Sequence, residues 1–171
     1  MKKSILIMFL LFAAGITAQA QKFALIDTEY ILKNIPAYQN ATEQLNQATK
    51  QWQGEVEKLS KEAKSLFDSY QAAIKTLSDA QKAKREEEIV AKEKSAAELR
   101  RKYFGPEGEL FKKREELMQP IQDAIYDAVK EIAVQEGYAV VVDRATASSI
   151  IFASPSIDIS NEVLAELGYS N

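Results

Sequence analysis

From Tyr38 to Leu77 the chain repeats an apolar or small residue at alternating steps of three and four. The series is Tyr38, Ala41, Leu45, Ala48, Trp52, Val56, Leu59, Ala63, Leu66, Tyr70, Ala73 and Leu77. Such spacing holds one narrow stripe on one face of an α-helix, the seam of a coiled coil. About 40 residues of helix make a rod of about 60 Å at 1.5 Å per residue, roughly twice the span of a small domain. A rod that long with one apolar stripe needs a second helix along it. The rhythm breaks once: Ala48, Trp52 and Val56 are two successive steps of four, a stutter that relaxes the supercoil locally. Gly54 lies inside it.

Ser78 and Asp79 interrupt the seam and are good helix-capping residues, so the tip of a hairpin is expected near 78–79. A second helical stretch runs from about Ala80 to Gln135. Its first half is very polar, with Ile89, Val90, Leu99 and several alanines as its apolar content. Gly105-Pro106-Glu107-Gly108 then predicts a bend or break. Leu110, Phe111, Leu117, Met118, Ile121, Ile125, Val129 and Ile132 resume a helical stripe. Pro120 within it predicts a kink, because proline removes a backbone donor and crowds the preceding turn.

A hairpin turning at Ser78–Asp79 sets Phe67 opposite Val90, Leu59 opposite Leu99 and Leu45 near Lys112. Pro36 comes level with Pro120, so both arms end at a proline. Trp52 falls opposite Gly105, and Gly54 near Tyr103. The stutter in one arm is thus level with the Gly-Pro-Glu-Gly of the other, and Gly54, Gly105, Pro106 and Gly108 are candidates for a hinge in the arm.

Short strands flank the hairpin in sequence. Phe23–Asp27 reads as a buried strand, Thr28–Asn34 as one or two helical turns, and Pro36 as a helix start. Gly137 is a natural helix terminator. Tyr138–Asp143 is the strongest strand signal, and Ser149–Ala153 is expected to form a third strand. Ser160 or Asn161 is expected to cap a last helix carrying Val163, Leu164 and Leu167, ended by Gly168. The expected fold class is α+β: a long antiparallel helical hairpin, or coiled-coil tentacle, projecting from a small β-rich head. In residue ranges this is a discontinuous head at 21–36 and 121–171, and an arm at 37–120. Three short strands make a marginal core, so oligomerisation is the expected remedy.

The N-terminus carries Lys2 and Lys3, an apolar run from Ile5 to Ile16, and Ala18-Gln19-Ala20. This is a signal peptide pattern over 1–20, cut near Ala20/Gln21, too short for a membrane span. The exported chain is expected to be soluble, with no stable membrane insertion. The full chain has 22 basic and 25 acidic residues; removing Lys2 and Lys3 leaves 20 against 25, a net charge of −5. An acidic chain does not fit a general nucleic-acid binder. With no cysteine and no histidine, the usual zinc ligands and the neutral-pH proton shuttle are missing, and no cofactor is expected. Glu86-Glu87-Glu88 and Glu115-Glu116 are neighbours along a helix and do not face one another, so they read as solvated faces. Asp27 and Asp143 read as strand-end residues. No phosphate-binding glycine loop or nucleophile motif is present, and no catalytic activity is expected.

The two ends carry a more specific signature: Phe23-Ala24-Leu25-Ile26-Asp27, Ile31 to Pro36, Gln119-Pro120-Ile121, Glu136-Gly137-Tyr138, Val140-Val141-Val142-Asp143 and Pro155-Ser156-Ile157-Asp158-Ile159-Ser160. In this order, around a charged hairpin, the chain resembles the Skp/OmpH family of periplasmic chaperones. The resemblance implies a homotrimer with a β-rich body and three helical tentacles around a cavity. It implies ATP-independent holding of unfolded outer-membrane proteins in transit. The best-known members are basic, whereas this mature chain is acidic, which argues against charge-driven client capture and lipopolysaccharide binding.

A two-helix seam uses one stripe per arm, and this hairpin has apolar residues to spare. Phe67 and Ile74 lie one heptad apart and off the seam. Ile89, Ala96 and Tyr103 form a row beside Val90, Ala97 and Phe104. Phe67, Ile74, Ile89 and Tyr103 are the candidate client contacts. The rival function is a periplasmic structural adaptor whose hairpin docks on a fixed envelope partner. Tight docking predicts a concentrated apolar tip, and Ile74, Leu77 and Ala80 make only a small one.

Overall fold

The structure, a computed structural model, describes residues 22–169. The expected signal peptide lies outside the described residues. In chain order the elements are β1 (Lys22–Ile26), α1 (Thr28–Lys33), α2 (Pro36–Ala73), α3 (Asp79–Phe104), α4 (Glu109–Glu136), β2 (Tyr138–Asp143), a 3-10 turn (Pro155–Ile157) and α5 (Ser160–Glu166). They divide into two compact units, one of 22–31 with 128–169 and one of Leu32–Asp127.

In the first unit β1 and β2 pair in parallel, with Phe23 beside Val140, Leu25 beside Val142 and Ile26 beside Asp143. Parallel strands need a crossover, and here it is α1 to α4. Ala24, Leu25 and Ile26 are buried together with Ile31, Ala128, Ile132, Ile159, Val163 and Leu164. Gly137 has φ 72°, a left-handed conformation costly for other residues. It stops α4 and lets β2 start at the next residue. The Lys22 ammonium donates to the carbonyl of Glu136, at 3.0 Å, satisfying one of the orphan acceptors of the last helical turn.

The expected third strand is absent. Residues 149–153 form turns and irregular backbone, with Ile151 100% and Phe152 85% exposed. The free edge of β1 is taken instead by the segment after the 3-10 turn: Leu25 bridges Asp158, and the Ile159 N–H donates to the Leu25 carbonyl at 2.9 Å. The β-branched sequence has strand propensity, but propensity without a pairing edge does not make a strand. The start of α5 also differs from expectation. Neither Ser160 nor Asn161 caps it; the Asp158 carboxylate accepts the Ser160 N–H at 3.0 Å. The Ser160 hydroxyl points back to β1.

The second unit is built on the hairpin. Pro36 sits in the first turn of α2, where its missing N–H costs nothing. α2 then runs 38 residues without interruption, through Gly54. Every residue of the α2–tip seam is buried or half-buried, from Tyr38 to Leu77. The tip spans the residues after Ala73. Ser78 accepts from the Gln81 N–H while the Gln81 side chain accepts from the Ser78 N–H, a capping box that starts α3. Gly105–Gly108 separates α3 from α4. Pro120 lies inside α4 without ending it.

The register corrects the expected facing pairs. Ile89 is 6% exposed and Ala96 is buried, whereas Val90 is 61% and Phe67 46% exposed. The inward row of α3 is therefore Ile89, Lys92, Ala96, Leu99 and Tyr103, itself a four-and-three rhythm, with the aliphatic stem of Lys92 completing it. Trp52 meets Tyr103 rather than Gly105. Replacing Ile89→Ala should cost about 2–5 kcal/mol, and Val90→Ala less than about 0.5 kcal/mol. Thermal melts followed by circular dichroism at fixed protomer concentration separate the two. Equal losses would return Val90 to the seam.

Candidate functional site

The expected client contacts do not gather in one place. Phe67 remains on the surface, at the wall of a groove between α2 and α3. Ser60, Ala63 and Lys64 line it from α2, and Glu93, Ala96, Ala97 and Arg100 from α3. The alanines make a floor low enough for a foreign side chain to approach, and Phe67 offers an aromatic face beside it. Ile74, at the tip, is half-buried. Ile89 belongs to the hairpin core. Tyr103 is occupied: its ring stacks on Trp52 with centroids 5.1 Å apart and planes 12° from parallel, and its hydroxyl donates to Glu55. The off-seam row that holds Ile89 and Tyr103 is therefore the seam. Val90 and Phe111 add exposed apolar surface to the same unit.

Polar ties between α2 and α3 set their register. Lys92 bonds Glu62 at 2.9 Å, and the Tyr70 hydroxyl donates to Glu86. The Tyr103 hydroxyl, followed by the Gln51 amide, holds the Glu55 carboxyl below its ordinary range, and Glu55 in turn raises the Tyr103 phenol. Lys92 lowers Glu62 in the same way.

At the hinge candidates the structure draws a distinction. Gly105 and Gly108 fold a tight link: the Gly105 N–H reaches the Arg101 carbonyl, and the Gly108 N–H the Gly105 carbonyl, each at 2.9 Å. A Cβ on Gly105 would run into the Arg101 carbonyl oxygen. One on Gly108 would lie 2.7 Å from the Tyr103 oxygen and 2.8 Å from that of Lys102. Both positions exclude side chains. Pro106 lies between them with no N–H to give. Gly54 differs, with open space where a Cβ would stand and no break in its helix.

The first unit holds a polar network that the sequence reading missed. β1 and β2 run side by side; Asp27 follows the first and Asp143 ends the second. Arg144, the next residue after β2, donates to Asp27 Oδ2 from Nε at 3.2 Å and Nη2 at 3.1 Å, and its Nη1 lies 3.3 Å from Asp158 Oδ2. The buried Ser160 hydroxyl accepts the Asp27 N–H at 2.8 Å and donates to Asp158 at 2.6 Å. Asp143 accepts from the Thr28 N–H at 3.1 Å, the Thr28 hydroxyl at 2.7 Å, the Ala145 N–H at 3.0 Å and the Thr146 hydroxyl at 3.0 Å. Burial pushes the Asp143 carboxyl up, but these donors outweigh it and hold the group below its ordinary value. The network locks α1, β2, the 3-10 turn and α5 to the end of β1. Its signal in the sequence was the placing of Asp27 and Asp143 at strand ends with Arg144 directly after the second; the third carboxylate, Asp158, gave none.

Two parallel strands whose crossover is a long helical hairpin, closed by a carboxylate–arginine network, define a class of hairpin-arm proteins. Residues 22–167 match the family described as Outer membrane protein (OmpH-like), and the chain belongs to that family. Two relatives, each named Chaperone protein Skp, are similar over nearly their whole length. The one from Yersinia enterocolitica is 25% identical over 155 residues, covering 91% of each chain. That from Photorhabdus luminescens is 26% identical over 163 residues, covering 92% of each. Among solved structures, an OmpH-like protein from Caulobacter crescentus shares the fold with a TM-score of 0.68 at 12% identity, over 86% of this chain and 84% of that one. Three of the segments that carried the resemblance, Phe23–Asp27, Val140–Asp143 and Pro155–Ser160, supply the network's aspartates and Ser160.

Ser160→Ala leaves the Asp27 N–H without its acceptor and should destabilise the protein by about 1–3 kcal/mol, read from urea midpoints. The depressed Asp143 carboxyl contributes stability that is fully present above its unfolded value of about 3.9. That contribution is lost as pH falls through the lower folded value. Asp143→Asn should therefore flatten the acid limb of a stability-against-pH curve. An unchanged limb would remove Asp143 from the account.

Proposed function

We propose that the mature chain is an ATP-independent holdase chaperone of the periplasm, binding unfolded outer-membrane proteins in transit. The observation that carries the reading is family membership across 22–167, with Skp chaperones as relatives over more than nine-tenths of both chains. The arm supports it physically. Phe67, Val90 and Phe111 are exposed singly on a charged rod, an arrangement suited to many weak contacts and not to one hot spot. Phe67 and Ile74 are the client contacts we retain. Export through the N-terminal signal accounts for the compartment. Holding a chain by dispersed contacts requires no catalytic group.

The working form we propose is a homotrimer joined through the strand unit. Phe23 and Val140 are cross-strand neighbours and both are exposed, as are Val134, Ile151 and Phe152. Among the described residues no strand covers the outer edge of β2. An open edge beside exposed apolar side chains favours association of copies.

The test is dilution of a urea-unfolded outer-membrane β-barrel into buffer containing the purified mature protein, with mass read by light scattering. A soluble complex with three copies of this chain is the expected result, with little salt dependence because the arm nearly balances its charges, 16 basic against 15 acidic residues over 37–120. A client that aggregates beside a well-folded oligomer would overturn the holdase reading and favour the envelope adaptor.

A further inference from the structure

The arm has one height at which both of its strands of structure are weak. The return strand is broken there by Gly105–Gly108, where turn bonds replace the helical ladder. The outgoing helix α2 passes unbroken but carries Gly54, whose side is open and whose helix propensity is low. On the tip side of this height α3 packs closely along α2, tied by Lys92–Glu62 and Tyr70–Glu86. On the other side α4 makes no comparably close backbone approach to α2. The close α2–α3 pairing thus ends at a glycine and a glycine–proline link.

At that height two residues of α2 reach a single residue of α3. Trp52 stacks on the Tyr103 ring, and Glu55 takes the Tyr103 hydroxyl. The Lys102 ammonium lies over that ring too, 5.6 Å from its centre. We infer that Trp52, Glu55 and Tyr103 form a releasable clasp that holds the arm at its pivot, Gly54 with Gly105–Gly108. One half-buried stack and one hydrogen bond are strong enough to bias a glycine pivot and weak enough to be offset by a few new contacts. Opening the clasp would let the tip side swing as a body while its own seam stays closed. Its use, admitting clients of different bulk, rests on the holdase reading.

The chain has no cysteine, so spin-label pairs can be placed at will in the full mature protein. Lys94→Cys with Glu116→Cys spans the pivot, and Lys84→Cys with Arg100→Cys lies within α3 as a control. Labelled chain is diluted with unlabelled chain so that distances are measured within one protomer. In Tyr103→Leu the 94–116 distances should broaden and shift while the 84–100 distances hold. Tyr103→Phe, which keeps the stack and loses the Glu55 bond, should broaden the first pair less. Trp52 is the single tryptophan, so its emission should move to the red as the stack opens. Unchanged 94–116 distances in both variants would overturn the clasp, as would broadening of both pairs together. With a tryptophan-free unfolded β-barrel added, the wild-type arm should show the same red shift and broadening. A client held in solution with no change at Trp52 or in the distances would overturn the clasp and leave the holdase reading standing. A client that aggregates would overturn the holdase reading, with the label distances still deciding the clasp.

Discussion

Two parallel strands cannot be joined by a tight turn, and that constraint organises this protein. β1 stands near the beginning of the described chain and β2 after residue 137, so the whole helical hairpin is the crossover between them. The pairing is only a few residues long. It holds because its polar ends are closed: Asp27, Asp143 and Asp158 are each satisfied, with Arg144 shared between the first and third. A buried or half-buried carboxylate with an incomplete set of donors would cost more than the strand pair returns. Asp27, Asp143, Arg144, Asp158 and Ser160 thus fasten together two parts of the fold that the helices separate in sequence.

The arm solves a different problem. A two-helix seam buries little per residue, so the hairpin uses small residues where the helices come closest and long amphipathic ones elsewhere. Ala63 and Ala96 let α2 and α3 approach; Tyr70, Lys92 and Tyr103 bury their stems and place their polar ends on carboxylates at the margin. These margin bonds are only partly buried, and each contributes little stability. Together they specify register, which a seam of alanines and leucines alone would leave free to slip. The surface left over is charged, with isolated aromatic and branched side chains, and it is the part of the molecule that fits a loose, reversible hold.

Much of this was legible in the residues. The α2 seam was readable position by position because its apolar residues contrast sharply with their neighbours. Gly137 and the run Tyr138–Asp143 marked a helix end and a strand without ambiguity. The α3 seam was not readable in the same way. Ile89, Ala96 and Tyr103 stand beside Val90, Ala97 and Phe104, two rows of equal apolarity, and one of the seam positions is a lysine. Hydropathy alone cannot rank two such rows, and a small error in register exchanges them.

The sequence by itself determined the hairpin, its tip, the glycine–proline break, the existence of β1 and β2 and the family, because helical period, turn chemistry and strand patterning are local properties. Tertiary structure alone decided which α3 row faces inward and that Trp52 meets Tyr103. It decided that residues 149–153 stay unpaired, and that Arg144 serves both Asp27 and Asp158. Each of these depends on which partner reaches a group first in space. The edge of β1 is taken by Asp158 and Ile159, where the Ser160 hydroxyl joins the Asp27 N–H to the Asp158 carboxylate, and residues 150–153 have no such tie to it.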